Sequence, residues 1–279
     1  MALQKDILYK RAMTGLLFGI IVLALLLAHS FTRHLFIWLV ALLCSYEYLG
    51  AQTKQSIPKF RLTIYAFIFG PLPAMFIYFG LLSFDPLLSL VVISVLYFTY
   101  LMGSLFFDQK PGSIIWMHVM TCFFYIGMPV LLLSQYMVTN SPEHMVLQII
   151  LLIWVTDTFA YLTGSKWGRR PLFSKISPKK TIEGAIGAML AALLTGVIFY
   201  YTRAEGSMLY NIGFALIVWF FGIWGDLVAS KIKRTQQIKD FGTLMPGHGG
   251  ALDRFDSFIF VIPFVLLYQI GRASCRERV

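Results

Sequence analysis

The sequence predicts an all-α polytopic membrane protein of about nine transmembrane helices, its N-terminus in the cytosol. Three observations predict it. Of the 279 residues, 58% are hydrophobic and only 13% charged, about half the charged fraction of a soluble domain. Apolar runs long enough to cross about 30 Å of hydrocarbon recur along the whole chain. Between those runs, Lys and Arg fall almost entirely on alternate sides.

The spans are expected near residues 12–30, 34–51, 63–80, 85–107, 113–134, 146–165, 183–202, 209–229 and 255–270. The first run, from Ala12 to Ala28, lacks a small-residue cleavage site and reads as a retained helix rather than a cleaved signal. Pro71 and Pro73 in the third span and Pro129 in the fifth predict kinks that neighbouring helices must accommodate. The ninth span runs into Gly271–Val279, GRASCRERV, which resembles the in-frame translation of a sequencing adapter. That tail is expected to lie outside the fold, with the true C-terminus missing. Without its three Arg and one Glu, the formal charge falls from +10 to +8. Cys44, Cys122 and Cys275 form no CxxC pair, so neither a disulfide framework nor a zinc site is expected.

Orientation follows from the basic residues. With the N-terminus inside, the inner segments hold Lys5, Lys10, Arg11, Lys54, Lys59, Arg61, Lys110, Lys166, Arg169, Arg170, Lys175, Lys179, Lys180, Lys231, Lys233, Arg234, Lys239 and Arg254. The outer loops hold Arg33 and Arg203. The opposite topology would reverse this bias. Acidic residues in or beside spans are costly and are functional candidates. Glu47, Asp157, Asp226, Asp253 and Asp256 are all expected at the cytosolic ends of their spans, ringed by cations and facing the compartment that holds nucleotides. Any single acid of this kind is as often a helix cap or an ion-pair partner. Five at one depth form a stronger pattern.

The stretch Gly225–Ser257, GDLVASKIKRTQQIKDFGTLMPGHGGALDRFDS, is the most informative. Asp226, Ser230, Lys233 and Arg234 stand at i, i+4, i+7 and i+8 and so share a helix face. The Gly242–Gly250 stretch, with Pro246, breaks the helix. Gly247, Gly249 and Gly250 flank His248 and let the backbone approach an anion. Asp253 and Asp256 follow at i, i+3 in the first turn of the ninth span. Carboxylates with hydroxyls suit a hard cation such as Mg²⁺. Upstream, Asp157, Tyr161 and Gly164 share a face of the sixth span. The loop SPKKTIEG, Ser177–Gly184, reads as a helix entrance with Thr181, Glu183, Lys179 and Lys180 near its start, a place that favours phosphate.

Together these residues resemble the phosphatidate cytidylyltransferase (CDP-diacylglycerol synthase) family. The family's C-terminal pattern is matched at Ser230, Lys233, Arg234, Lys239, Asp240, Pro246, His248, Gly249, Gly250, Asp253, Arg254 and Asp256. The SPKKTxEG segment, Asp157 and, in YEY, Glu47 are similar as well. Ala229 stands where many members carry Glu, and Ile182 where Trp is common.

The resemblance implies a helical fold of about nine spans, often a homodimer, with spans six to nine (146–270) as the catalytic region after the N-terminal helices of 1–145. Mg²⁺ is implied between Asp226 and Asp253, with K⁺ as a second cation. Lys233, Arg234, Lys239 and Arg254 are the further catalytic candidates. Ser230, Asp240, His248, Gly249, Gly250, Asp256, Asp157, Ser177, Lys179, Lys180, Thr181 and Glu183 are the substrate-binding candidates. The implied partners are CTP and phosphatidic acid, with no nucleic acid, in a bacterial inner membrane with the active site facing the cytoplasm. His248 reads as a phosphate donor before a base, because the lipid phosphate is already ionised. Ser230 reads as a ligand before a nucleophile. An ion-coupled transporter would place its acids near the midplane in repeated halves, and no repeat is seen. Polyprenol kinases and archaeal-type lipid cytidylyltransferases remain the nearer alternatives.

Overall fold

In hydrocarbon every backbone N–H and C=O must be satisfied within the chain, which leaves helices as the economical form for these long apolar runs. The computed structural model describes residues 2–52, 58–78, 87–106, 115–140, 144–203, 206–243 and 249–276. Its helices are α1 Ala2–Ala28, α2 Ser30–Gln52, α3 Lys59–Phe69, α4 Leu72–Tyr78, α5 Leu87–Ser104, α6 Ile115–Cys122, α7 Met128–Asn140, α8 Met145–Trp167, α9 Ile182–Arg203, α10 Met208–Thr235 and α11 Leu252–Arg276. A π-helical turn, Phe123–Gly127, joins α6 to α7. The all-α polytopic membrane fold is observed. Among the described residues, seven helical segments are long and apolar enough to cross a membrane: Ser30–Gln52, Leu87–Ser104, His118–Asn140, Met145–Trp167, Ile182–Thr202, Met208–Thr235 and Leu252–Arg272.

The other two expected spans take a different form. In the first, the apolar portion Gly15–Ala28 is shorter. The third is broken at Gly70–Pro71 into α3 and α4. Pro71 has no N–H to continue the ladder, so the chain restarts a turn later. Pro129 acts more gently. The turn ahead of it widens, and the Met128 N–H reaches back to the Phe123 carbonyl, five residues away, as a π turn requires.

The chain divides into two compact units. The first comprises Met1–Leu90, Gln109–Glu143 and Lys233–Asp256; the second comprises Val91–Asp108, His144–Ile232 and Ser257–Val279. In the first unit α2 is the central element, packed against α1, α3, α6 and α7. Its Ile37, Ala41, Cys44, Tyr48 and Leu49 are buried, as are Tyr125, Val130 and Leu133. Cys44 and Cys122 are free and buried.

In the second unit α8 and α9 form an extensive pair. The Trp219 indole N–H donates to the Ala185 carbonyl (3.0 Å) and the Ser257 hydroxyl donates to the Gly222 carbonyl (3.0 Å), tying α10 to α9 and α11. Such hydrogen bonds substitute for a hydrophobic driving force that lipid does not provide. On α9, Ile182, Ile186, Leu190, Leu194 and Ile198 are exposed at four-residue intervals, an apolar stripe suited to lipid.

One expectation changes. Ser177–Thr181 is not a helix entrance throughout but a strand, β2, paired antiparallel with β1, Pro171–Phe173. Pro178 suits a strand edge, where no N–H is needed. The helix starts after Thr181, whose hydroxyl accepts the Gly184 N–H (3.1 Å) as an N-cap. Of the adapter-like tail, the described residues continue α11 as far as Arg276. The Arg272 guanidinium lies over the Tyr210 ring, 4.0 Å from its centroid. Arg and Ala are good helix formers, and the contact adds a cation–π attraction.

The α8–α9 seam is tight at Gly184, where a Cβ would meet the Ala160 carbonyl at 2.8 Å and the Gly164 Cα at 3.3 Å. Gly184→Val should therefore destabilise the protein by about 1–3 kcal/mol, read as earlier thermal unfolding in detergent.

Candidate active site

Two lysine–carboxylate centres, one in each unit, each gather some of the sequence-predicted residues. The centre in the first unit is built at the start of α11. Asp253 enters the helix at its second residue and folds back, so that its Oδ2 accepts the N–H groups of Phe241 (2.9 Å) and Gly250 (3.0 Å). Its Oδ1 accepts from the Lys233 ammonium (2.7 Å). The side chains of Lys233 and Asp253 are only 11% and 6% exposed. The Lys233 ammonium also lies 5.4 Å from the centroid of the Phe241 ring, a cation–π geometry.

Gly249 has φ +83°, a conformation that glycine adopts without strain. A Cβ there would approach the carboxylate oxygens of Asp253 (3.1 Å) and Asp240 (3.4 Å). Gly250, expected to offer its N–H to a bound anion, offers it to Asp253. Asp256 is 5% exposed, inside the fold rather than on an open wall. Arg254, Lys239, Asp240 and Arg234 are exposed. Pro246, Gly247 and His248 lie outside the described residues.

The centre in the second unit is more open. The Lys180 ammonium at the end of β2 pairs with Asp226 Oδ2 on α10, the two side chains 28% and 38% exposed. The Ser230 hydroxyl donates to Asp226 Oδ1 (3.3 Å), which realises the i, i+4 relation expected of that helix. Lys231 points elsewhere, its ammonium donating to the Ser104 carbonyl at the end of α5.

Lys179 is exposed and Ser177 half-buried on the same strand. Thr181 caps α9. Glu183 does not stand as an open ligand: its Oε2 accepts the N–H groups of Arg169 (3.0 Å) and Arg170 (3.2 Å), fastening the turn before β1. Asp157 is exposed on α8. Sequence reasoning missed one partner. Phe241 contributes a backbone N–H, which no side-chain pattern discloses. Glu47, already a candidate, accepts the Leu252 N–H (2.9 Å), and Gly242 and Gly250 are the residues that leave it room.

Among the described residues, no group of three or more His, Cys, Asp or Glu side chains is arranged to hold a metal ion. Mg²⁺ commonly takes one or two carboxylates together with substrate phosphates. The Asp226 carboxylate and its neighbouring Ser230 hydroxyl are oxygen donors of the kind a hard cation takes. Asp253 is fully hydrogen-bonded, so a cation reaching it displaces the Lys233 ammonium.

A model of the cytidylyltransferase family matches residues 9–270. The chain belongs to this family. Within it, the chain is 31% identical over 265 residues to the phosphatidate cytidylyltransferase of Bacillus subtilis (strain 168), covering 92% of this chain and 95% of that one. It is 32% identical over 280 residues to that of Staphylococcus haemolyticus (strain JCSC1435), covering 93% and 99%. A further match, to the phosphatidate cytidylyltransferase of Staphylococcus aureus (strain COL), is 45% identical over 129 residues and spans 45% of this chain and about half, 50%, of that relative. Of the two lysine-paired aspartates in this cytidylyltransferase-family chain, Asp253 is among the positions that carried the sequence resemblance, as are both lysines.

The two pairs should differ in stability. Lys233→Met leaves a buried carboxylate without its counter-charge and should cost about 3 kcal/mol or more. Lys180→Met breaks a half-exposed pair and should cost less than about 1 kcal/mol. Thermal unfolding of the detergent-solubilised variants separates them.

Proposed function

We propose that this chain is a phosphatidate cytidylyltransferase: it transfers the cytidylyl group of CTP to phosphatidate, giving CDP-diacylglycerol and pyrophosphate. The observation that carries the reading is the family match over residues 9–270, together with relatives of that name aligned over nearly their full length. The setting is a bacterial cell membrane with the N-terminus and the reacting groups at the cytoplasmic face. The concentration of Lys and Arg on that side supports this orientation. The working form is a homodimer, as the resemblance implies.

The physical problem is to bring two anions together. A phosphatidate oxygen forms a bond to the α-phosphorus of CTP as the bond from that phosphorus to the bridging oxygen of the β-phosphate breaks, and the electron pair leaves with pyrophosphate. Lys233, Arg234, Lys239 and Arg254 neutralise and align the phosphates for in-line approach. Lys179 and Lys180, on a strand beside a helix N-terminus, suit the nucleotide phosphates. Ser230 donates a hydroxyl, and His248 a hydrogen bond to phosphate. No strong base is needed, since the lipid phosphate is ionised near neutral pH. Asp226 and Asp253 are the residues that would hold Mg²⁺, with K⁺ as the second cation; the metal would supply charge neutralisation at the phosphates. Lys180 and Lys233, the partners of these carboxylates, carry charge that suits phosphate.

Purified protein given labelled CTP and phosphatidate should form the labelled liponucleotide with Mg²⁺ and none with chelator. Asp226→Asn, at a half-exposed carboxylate, and Asp253→Asn should both abolish it while remaining folded in the membrane. Near-normal turnover by either would refute its metal role. With the native cysteines replaced, Lys175→Cys should react with an impermeant maleimide only when the cytoplasmic face is open to the reagent.

A further inference from the structure

Glu47 lies in α2, a span with no part in the mechanism above, yet it is built into the start of α11. It is 9% exposed. Its Oε2 accepts the Leu252 N–H (2.9 Å), and its carboxylate also accepts the Ala251 N–H. These are amides of the opening turn, which have no acceptor within their own helix. A carboxylate from a distant part of the chain satisfies them and is favoured by the helix dipole.

The fit around Glu47 is close on both sides. A Cβ at Gly242 would strike Glu47 Oε1, and a Cβ at Gly250 would strike Oε2. The acid therefore occupies a slot between the two ends of the 242–250 segment. Beside those glycines are the two N–H groups, of Phe241 and Gly250, that hold Asp253 Oδ2. Whatever fixes Gly242 and Gly250 also fixes the direction of Asp253.

We propose that Glu47 is a positioning residue for cytidylyl transfer: it caps α11 and clamps Gly242 and Gly250, so that the Phe241 and Gly250 amides aim the Asp253 carboxylate. The proposal rests on the reading of Asp253 given above. Glu47 itself touches no substrate. Its loss should fall on turnover rather than on substrate affinity.

The test combines kinetics with amide hydrogen exchange on the full chain in detergent. Glu47→Ala should lower kcat by about tenfold to a hundredfold, the scale of a misplaced catalytic group, with KM for CTP changed by less than about threefold. Its Ala251 and Leu252 amides should exchange faster than in the parent. Glu47→Gln keeps an acceptor oxygen and should recover at least about threefold of the lost turnover. Gly250→Ala should be impaired alone, and the double variant Gly250→Ala with Glu47→Asp should be more active than Gly250→Ala, because the shorter acid withdraws from the added methyl. Should Glu47→Ala fail to fold, the Gln variant and the double variant carry the decision. Parental kcat in Glu47→Ala, unchanged amide exchange, or a double variant no better than Gly250→Ala overturns the proposal. An inactive parent whose Ala251 and Leu252 amides still open in Glu47→Ala instead refutes the proposed reaction and leaves the clamp standing.

Discussion

A charge taken out of water must be met by opposite charge and by hydrogen-bond donors, or the chain will not keep it ionised. Asp253 shows how much architecture that requirement commands. One oxygen meets the Lys233 ammonium, the other meets two backbone amides, and those amides belong to a segment that only glycine can thread past Glu47. The opening turn of α11, the end of α10 and the C-terminal part of α2 are thus bound into one arrangement. The direction of the Asp253 carboxylate follows from satisfying the donors around it.

Asp226 lives under weaker constraint. Its partner Lys180 comes from a short exposed hairpin, and both side chains retain solvent access. A half-exposed pair contributes little to stability and is correspondingly easy to rearrange. The Asp253 pair, its side chains only 11% and 6% exposed, is costly to break.

Much of this was legible in the residues. The i, i+4 spacing of Asp226 and Ser230 predicted a shared helix face, and the hydrogen bond between them bears it out. Pro71 and Pro129 both predicted kinks; the first breaks the helix outright and the second yields a π turn. The hairpin was not foreseen, because Ser177–Thr181 is too short and too polar to show a strand period. Glu183 was a substrate-binding candidate through the SPKKTxEG resemblance; its engagement with the Arg169 and Arg170 amides depends on where the preceding turn falls.

By itself, the sequence determined the helical membrane class, the concentration of Lys and Arg in alternate loops and the family resemblance carried by its acids and cations. These follow from composition and from spacing along a regular helix, both local properties. Only the tertiary structure decided which lysine meets which aspartate, that Glu47 closes the start of α11, and that glycines rather than ligands face it. Those pairings join residues as far as 205 positions apart. No periodicity along a chain encodes a distance that only packing creates.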